Sequence, residues 1–110
     1  MLAKSQRLPR LLFSAVFGQG KRVQGANTTL IIAPALNFAC SVVVSKKVAK
    51  KAHDRNRIRR RLYASVRELI ATNPPALSLI IMTKPQISSL TRVQFKEVLQ
   101  VEIGRALNNR

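Results

Sequence analysis

The chain has 110 residues, 46% of them hydrophobic, enough for one core and too few for two, so a single domain over 1–110 is expected. Its 20 Lys and Arg against 4 Asp and Glu give a formal charge of +16 at pH 7, a self-repulsion that calls for a large anionic partner. One Cys and one His leave no material for a disulfide framework, a His/Cys metal cluster or a Ser-His-Asp constellation, and the few carboxylates are too scattered for paired acid-base chemistry.

In chain order, Leu11, Leu12, Ala15 and Val16 recur at helical spacing, with Phe13 and Phe17 on a neighbouring stripe. This predicts a first helix near residues 9–18, with Pro9 in its first turn and Gly18 or Gly20 ending it. Lys4, Arg7 and Arg10 before this apolar run imitate a secretory signal, but the run is short and no small-residue cleavage site follows. With a lone Cys40, expected to be a small buried hydrophobe, the location expected is cytoplasmic. Val23 to Ser45 carries no charge, yet Gln24, Asn27, Thr28, Thr29, Pro34 and Asn37 interrupt it too often for a membrane helix.

From Arg22 the pattern turns to strand. Thr28–Ala33 and Phe38–Val44 are rich in β-branched residues and are predicted to pair antiparallel across Pro34–Asn37. Ile58, Leu62, Val66, Leu69 and Ile70 then mark a long helix that Asn73-Pro-Pro75 ends. Leu77–Met82 reads as a buried strand closed by Lys84-Pro85, and Ser88 or Ser89 is expected to cap a last helix with Phe95, Val98, Leu99, Ile103, Ala106 and Leu107 on its apolar face. The order α-β-β-(β)-α-β-α predicts a small α+β domain: a mixed sheet of about four strands with the helices on one side.

The most informative segment runs from Lys46 to Arg67, with ten Lys or Arg against one acid, Asp54. At 100° per residue Ile58, Leu62, Val66 and Leu69 share one side of the helix and Arg57, Arg60, Arg61 and Arg67 the other, with Asn56 and Tyr63 along the flank. Arg55 and Arg59 fall near the apolar edge, their stems packed and their heads in solvent. Lys46, Lys47, Lys50 and Lys51 precede the helix in a loop, and the helix N-terminus adds its own attraction for phosphate. A merely solvated face would mix signs at i, i+4; this one lacks the acids to do so, and nucleic acid is the partner it fits. Arg outnumbers Lys, which favours bidentate phosphate contacts and stacking on bases. Phe13 and Phe17 are either core residues of the first helix or an exposed pair that stacks unpaired bases, and Tyr63 has the same two readings.

The run Arg55-Asn-Arg-Ile-Arg-Arg60 resembles the signature of the bacterial ribonuclease P protein component, an Arg-Asn-Arg-x-Lys-Arg run followed closely by Arg-Glu. Val44-Ser-Lys-Lys-Val48, Ala52-His-Asp54, Arg7-Leu8, Phe13, Phe17 and Gly20-Lys-Arg22 are similar to the family as well, so the resemblance spans most of the chain. Arg59 replaces the usual Lys, which keeps the charge and changes the donor geometry. Tyr63 and Ala64 stand where the pattern has Arg-Glu. The interaction that Arg would make is then missing, taken over by Arg61 or Arg67, or replaced by stacking through Tyr63.

The resemblance implies an α+β fold with a left-handed βαβ crossover around the basic helix, against the general right-handed preference. It implies a non-catalytic subunit of an endoribonuclease, in which an RNA subunit, using Mg2+ bound mainly by that RNA, removes the 5′ leader from precursor tRNA. By the same resemblance Arg55, Asn56, Arg57, Arg59 and Arg60 contact the catalytic RNA, while Phe13, Phe17 and Arg22 line a cleft for the single-stranded leader. No membrane and no obligate protein partner is expected. Two other classes compete: a structural RNA-binding protein such as a ribosomal protein, equally basic, and a self-sufficient nuclease, which the scarcity of acids and histidine disfavours.

Overall fold

The computed structural model describes residues 6–71 and 74–108. Lys4, in the leading basic cluster, and Asn73, at the expected helix end, lie outside them. The elements run α1 (Arg10–Gln19), β1 (Lys21–Gln24), β2 (Thr28–Pro34), β3 (Ala39–Val43), α2 (Ala52–Ile70), β4 (Leu77–Thr83), a 3₁₀ turn (Pro85–Ser89) and α3 (Arg92–Asn108). Four strands form one mixed sheet in the order β1-β2-β4-β3.

The expected hairpin between Thr28–Ala33 and Phe38–Val44 is not formed. β4 lies between them, antiparallel to β2 with Leu30 opposite Ile81, and parallel to β3 with Val42 opposite Ile81. The reason is burial: Leu77 through Ile81 are covered on both faces, which requires a central position. The hairpin is instead β1–β2, closed through Gly25–Asn27, and β1 bears Lys21 and Arg22 at the sheet's edge, where charge discourages further strand pairing. Because β3 and β4 are parallel neighbours, α2 is their crossover.

The helices do not share one side either. Leu30, Ile32, Cys40, Val42, Leu79 and Ile81 face α2 and α3, packing with Ile58, Leu62, Val66, Phe95, Leu99 and Ile103. Ile31, Ala39 and Ile80 point the other way and pack with Leu8 and Val16 beneath α1. Strict alternation on β2 and β4 gives the sheet two apolar faces, and each needs a cover. Helix α1 covers only part of its face, because it is short and buries Val16 alone. Of the stripe expected to pack, Leu11 is 88% exposed and Leu12 53%.

The helix ends follow local chemistry. Pro9 precedes α1 at the N-cap position, where its carbonyl accepts from Phe13 N at 2.9 Å. Gly20 closes α1; a Cβ there would stand 2.6 Å from Ile31 Cγ2 and 2.7 Å from the Val16 carbonyl oxygen, so only glycine lets the chain turn this close to the sheet. The cap of α3 is Thr91 and not Ser88 or Ser89. Its Oγ1 accepts from Gln94 N at 3.2 Å, while Thr91 N donates to Gln94 Oε1 at 3.0 Å, a reciprocal capping box. Ser88 and Ser89 hydroxyls turn back to Pro85 and Gln86 carbonyls within the 3₁₀ turn.

Candidate nucleic-acid interface

Two surfaces collect the predicted residues. The first begins in the loop after β3, where Val48 N and Ala49 N both donate to the Ser45 carbonyl at 3.1 and 3.3 Å and buried Val48 anchors the turn. Lys46, Lys47, Lys50 and Lys51 are left exposed around it. Arg55 does not send its head to solvent. Its Nη1 donates to the carbonyls of Ala49 at 3.1 Å and Lys50 at 2.6 Å, so this guanidinium shapes the lysine loop from inside.

Along α2 the arginines divide into two flanks where the phasing had them on one face. Arg59 and Arg60 lie with Asn56 and Tyr63 around a concavity of about 230 Å³, and Arg59 Nη2 donates to Asn56 Oδ1. Arg57 and Arg61 line a separate groove of about 230 Å³ toward α3, floored by Ile58, Ile87 and Phe95. There Arg57 is paired with Asp54 at 2.9 Å, and the Arg61 guanidinium sits 5.8 Å above the Phe95 ring. Arg67 is exposed in the last turn. Among the described residues Arg60 has no ion-pair partner, so its charge is wholly available to an outside anion.

The second surface is the half-covered face under α1. Phe13, like Ala33, Val43 and Met82, is partly buried against the small core of Leu8, Val16, Ile31, Ala39 and Ile80 there, while Phe17 is 39% exposed. Their rings stack with centroids 6.0 Å apart and planes 19° from parallel. The Arg22 guanidinium lies 4.8 Å over the Phe17 ring and its Nη2 donates to the Phe17 carbonyl at 3.3 Å. The two phenylalanines stand at i and i+4 of the helix, and β1 follows α1 at once, so the local chain alone assembles this ladder of two aromatic rings and a cation. Of the two readings of the pair, Phe13 has part of each and Phe17 is chiefly surface.

Two roles escaped the sequence. Tyr63 Oη accepts from Val42 N at 3.2 Å, which satisfies an outward amide of β3, an edge strand. Burial pushes the Tyr63 hydroxyl's pKa up, with the Val42 bond acting against it. Glu102, which looked isolated, binds Asn27 N at 3.0 Å, Asn27 Nδ2 at 2.9 Å and Thr28 Oγ1 at 3.3 Å, fastening the β1–β2 turn to α3. Neither partnership has a sequence signal without the sheet order. Cys40 is fully buried as expected, and burial drives its thiol pKa far upward.

Three of the four carboxylates are engaged by other side chains: Asp54 by Arg57, Glu68 by Lys96 and Gln100, and Glu102 by Asn27. Among the described residues no three His, Cys, Asp or Glu come together, and no helix is long and apolar enough to cross a membrane. Fold and surface thus define a class: a basic α+β domain that presents arginines and aromatic rings on its surface.

The comparisons make the assignment specific. The family model for Ribonuclease P matches residues 2–107. The ribonuclease P protein component of Cyanothece sp. is 31% identical over 125 residues, covering 96% of this chain and 95% of that one. That of Microcystis aeruginosa is 38% identical over 82 residues, 66% of each chain. The Staphylococcus aureus RNase P protein structure superposes with a TM-score of 0.83 at 20% identity, over 94% of this chain and 96% of that one, and so shares the fold. The chain belongs to the ribonuclease P protein family.

Proposed function

We propose that this protein is the RNA-binding subunit that assists the RNA subunit of ribonuclease P in removing the 5′ leader from precursor tRNA. In this reading Lys46, Lys47, Lys50, Lys51, Asn56, Arg57, Arg59, Arg60, Arg61 and Arg67 form the RNA-facing surface, with Arg55 holding the lysine loop in shape. Phe13, Phe17 and Arg22 hold the leader as a single strand. Hydrolysis belongs to the RNA and to Mg2+ bound there; the protein's part is to position the substrate and to neutralise phosphate charge.

The observation that carries the reading is the Phe13–Phe17–Arg22 ladder formed by α1 and the start of β1. Rings accept any base on their π-face, and the guanidinium adds a phosphate partner, so such a site binds a strand without reading its sequence. Leaders of differing sequence require that tolerance.

Phe17→Ala tests it. The RNA complex of the variant is expected to bind precursor tRNA roughly 5- to 150-fold more weakly while binding leaderless tRNA as before, since one base stack contributes about 1–3 kcal/mol. Because Phe17 is 39% exposed and belongs to neither buried core, the melting temperature should move far less than for a core phenylalanine. Equal weakening for both tRNAs in equilibrium binding would remove the leader from this surface.

A further inference from the structure

We propose that the concavity on the β3 side of α2 is a pocket for one unpaired nucleobase of the RNA partner, with the Tyr63 ring as its stacking platform. The inference rests on the RNA-binding role above and deepens it. Asn56, Arg59, Arg60 and Tyr63 line a space of about 230 Å³, enough for a single base and too little for a helix of paired ones. Spaced at i, i+3, i+4 and i+7, they bring an amide, two guanidinium groups and an aromatic ring to one flank of one helix.

Each lining group has a use that fits a base better than a bare phosphate. Tyr63 is held by its own tip: Oη accepts from Val42 N at 3.2 Å, so the ring is fixed before any ligand arrives and little rotamer freedom is given up on stacking. Arg59 Nη2 donates to Asn56 Oδ1, which orients the Asn56 amide and leaves its two N–H donors for the acceptors of a base edge. Arg60, without an ion-pair partner among the described residues, stands at the rim for the adjoining phosphate. A site for phosphate alone would need no aromatic wall.

The pocket's place in the fold supports the same ligand. Val42, which bonds Tyr63, faces the α2 core, and its neighbour Val43 packs against the small core on the α1 side that Phe13 also borders. The two surfaces therefore meet across a single edge strand. The residue that departs from the family's Arg-Glu pattern is the one that supplies the ring, so a cationic interaction is exchanged here for a stacking one.

Tyr63 is the protein's sole tyrosine and the chain has no tryptophan, so its intrinsic tyrosine emission reports this site alone. The protein is titrated with a transcript of a bacterial ribonuclease P RNA subunit, with free tyrosine amide correcting for absorption by the RNA. The expected result is emission quenched by more than half at saturation. In parallel, Tyr63→Phe and Tyr63→Leu both remove the Val42 bond, and only the second removes the ring. Tyr63→Phe should bind the RNA within about twofold of the parent, and Tyr63→Leu about 5- to 150-fold more weakly. Unchanged emission at saturation, or equal affinities for the two variants, would overturn the pocket while leaving the RNA-binding role intact. Failure of the parent protein to bind the transcript would instead remove that role, and the pocket with it.

Discussion

Replacing Arg57 and Arg60 together with Ala is expected to weaken binding to the RNA subunit and to flatten its salt dependence, by roughly one unit of log–log slope for each phosphate left without its cation. The two residues should not contribute alike. Arg57 is already engaged by Asp54 at 2.9 Å, and its removal leaves that carboxylate facing the RNA. Arg60 has no such partner among the described residues, so its charge displaces counterions in full. Arg60→Ala alone should therefore account for most of the change in slope, while Arg57→Ala lowers affinity partly through the repulsion of an unpaired Asp54. Binding isotherms from about 50 to 200 mM salt measure both. An unchanged slope in the double variant would mean that both flanks of α2 face solvent in the complex.

Leu62→Ala is expected to cost about 3–4 kcal/mol, the usual penalty for a large side chain removed from a closed core. Leu62 is fully buried at the middle of α2 and belongs to the cluster that joins that helix to Leu79, Ile81 and Leu99. For a domain of this size the melting temperature should fall by about 15 °C. Leu36→Ala, at a position 95% exposed, should leave it unchanged and serves as the control. The functional consequence is specific. The basic flanks are carried by the same helix, so RNA affinity near the lowered transition should fall with the folded fraction and recover on cooling. A variant that melts like the parent would mean that α2 is not fastened to the sheet through Leu62.

The long elements were legible because their periodicity is unbroken. Ile58, Leu62, Val66 and Ile70 repeat at helical spacing and are all buried, and the run Leu77–Met82, apolar but for Ser78, identified a buried strand. What the run did not disclose was its neighbours. Strand pairing is a long-range choice, and β4 displaces the local β2–β3 partnership only because both of its faces demand cover. The same limitation placed the helices on one side: the alternation of Leu30, Ile31 and Ile32 implies two apolar faces, but no local signal says which helix covers which. Helix α1 misled because Leu11 and Leu12 look like core and stand in solvent, while the functional reading of the neighbouring stripe depended on how little of the sheet α1 covers.

The candidate site divides along similar lines. A run of arginines without acids is visible in any sequence, and so is its meaning for a polyanion. Which arginine is free is not. The engagement of Arg55 by loop carbonyls, of Arg57 by Asp54 and of Arg61 by the Phe95 face depends on where the loop and α3 lie. Tyr63 is the clearest case: its bond to Val42 exists only because β3 is an edge strand, and β3 is an edge strand only because β4 took the centre.

The central claim is that this basic domain assists an RNA that performs the chemistry, and reconstitution tests it most directly. The purified protein is added to a bacterial ribonuclease P RNA at a Mg2+ concentration too low for the RNA to act alone, with a precursor tRNA carrying a labelled 5′ leader. The leader should be released at the mature 5′ end in proportion to protein, up to one equivalent of RNA, and the protein without the RNA should release nothing. Absence of processing at every protein concentration, or cleavage by protein freed of RNA, would contradict it.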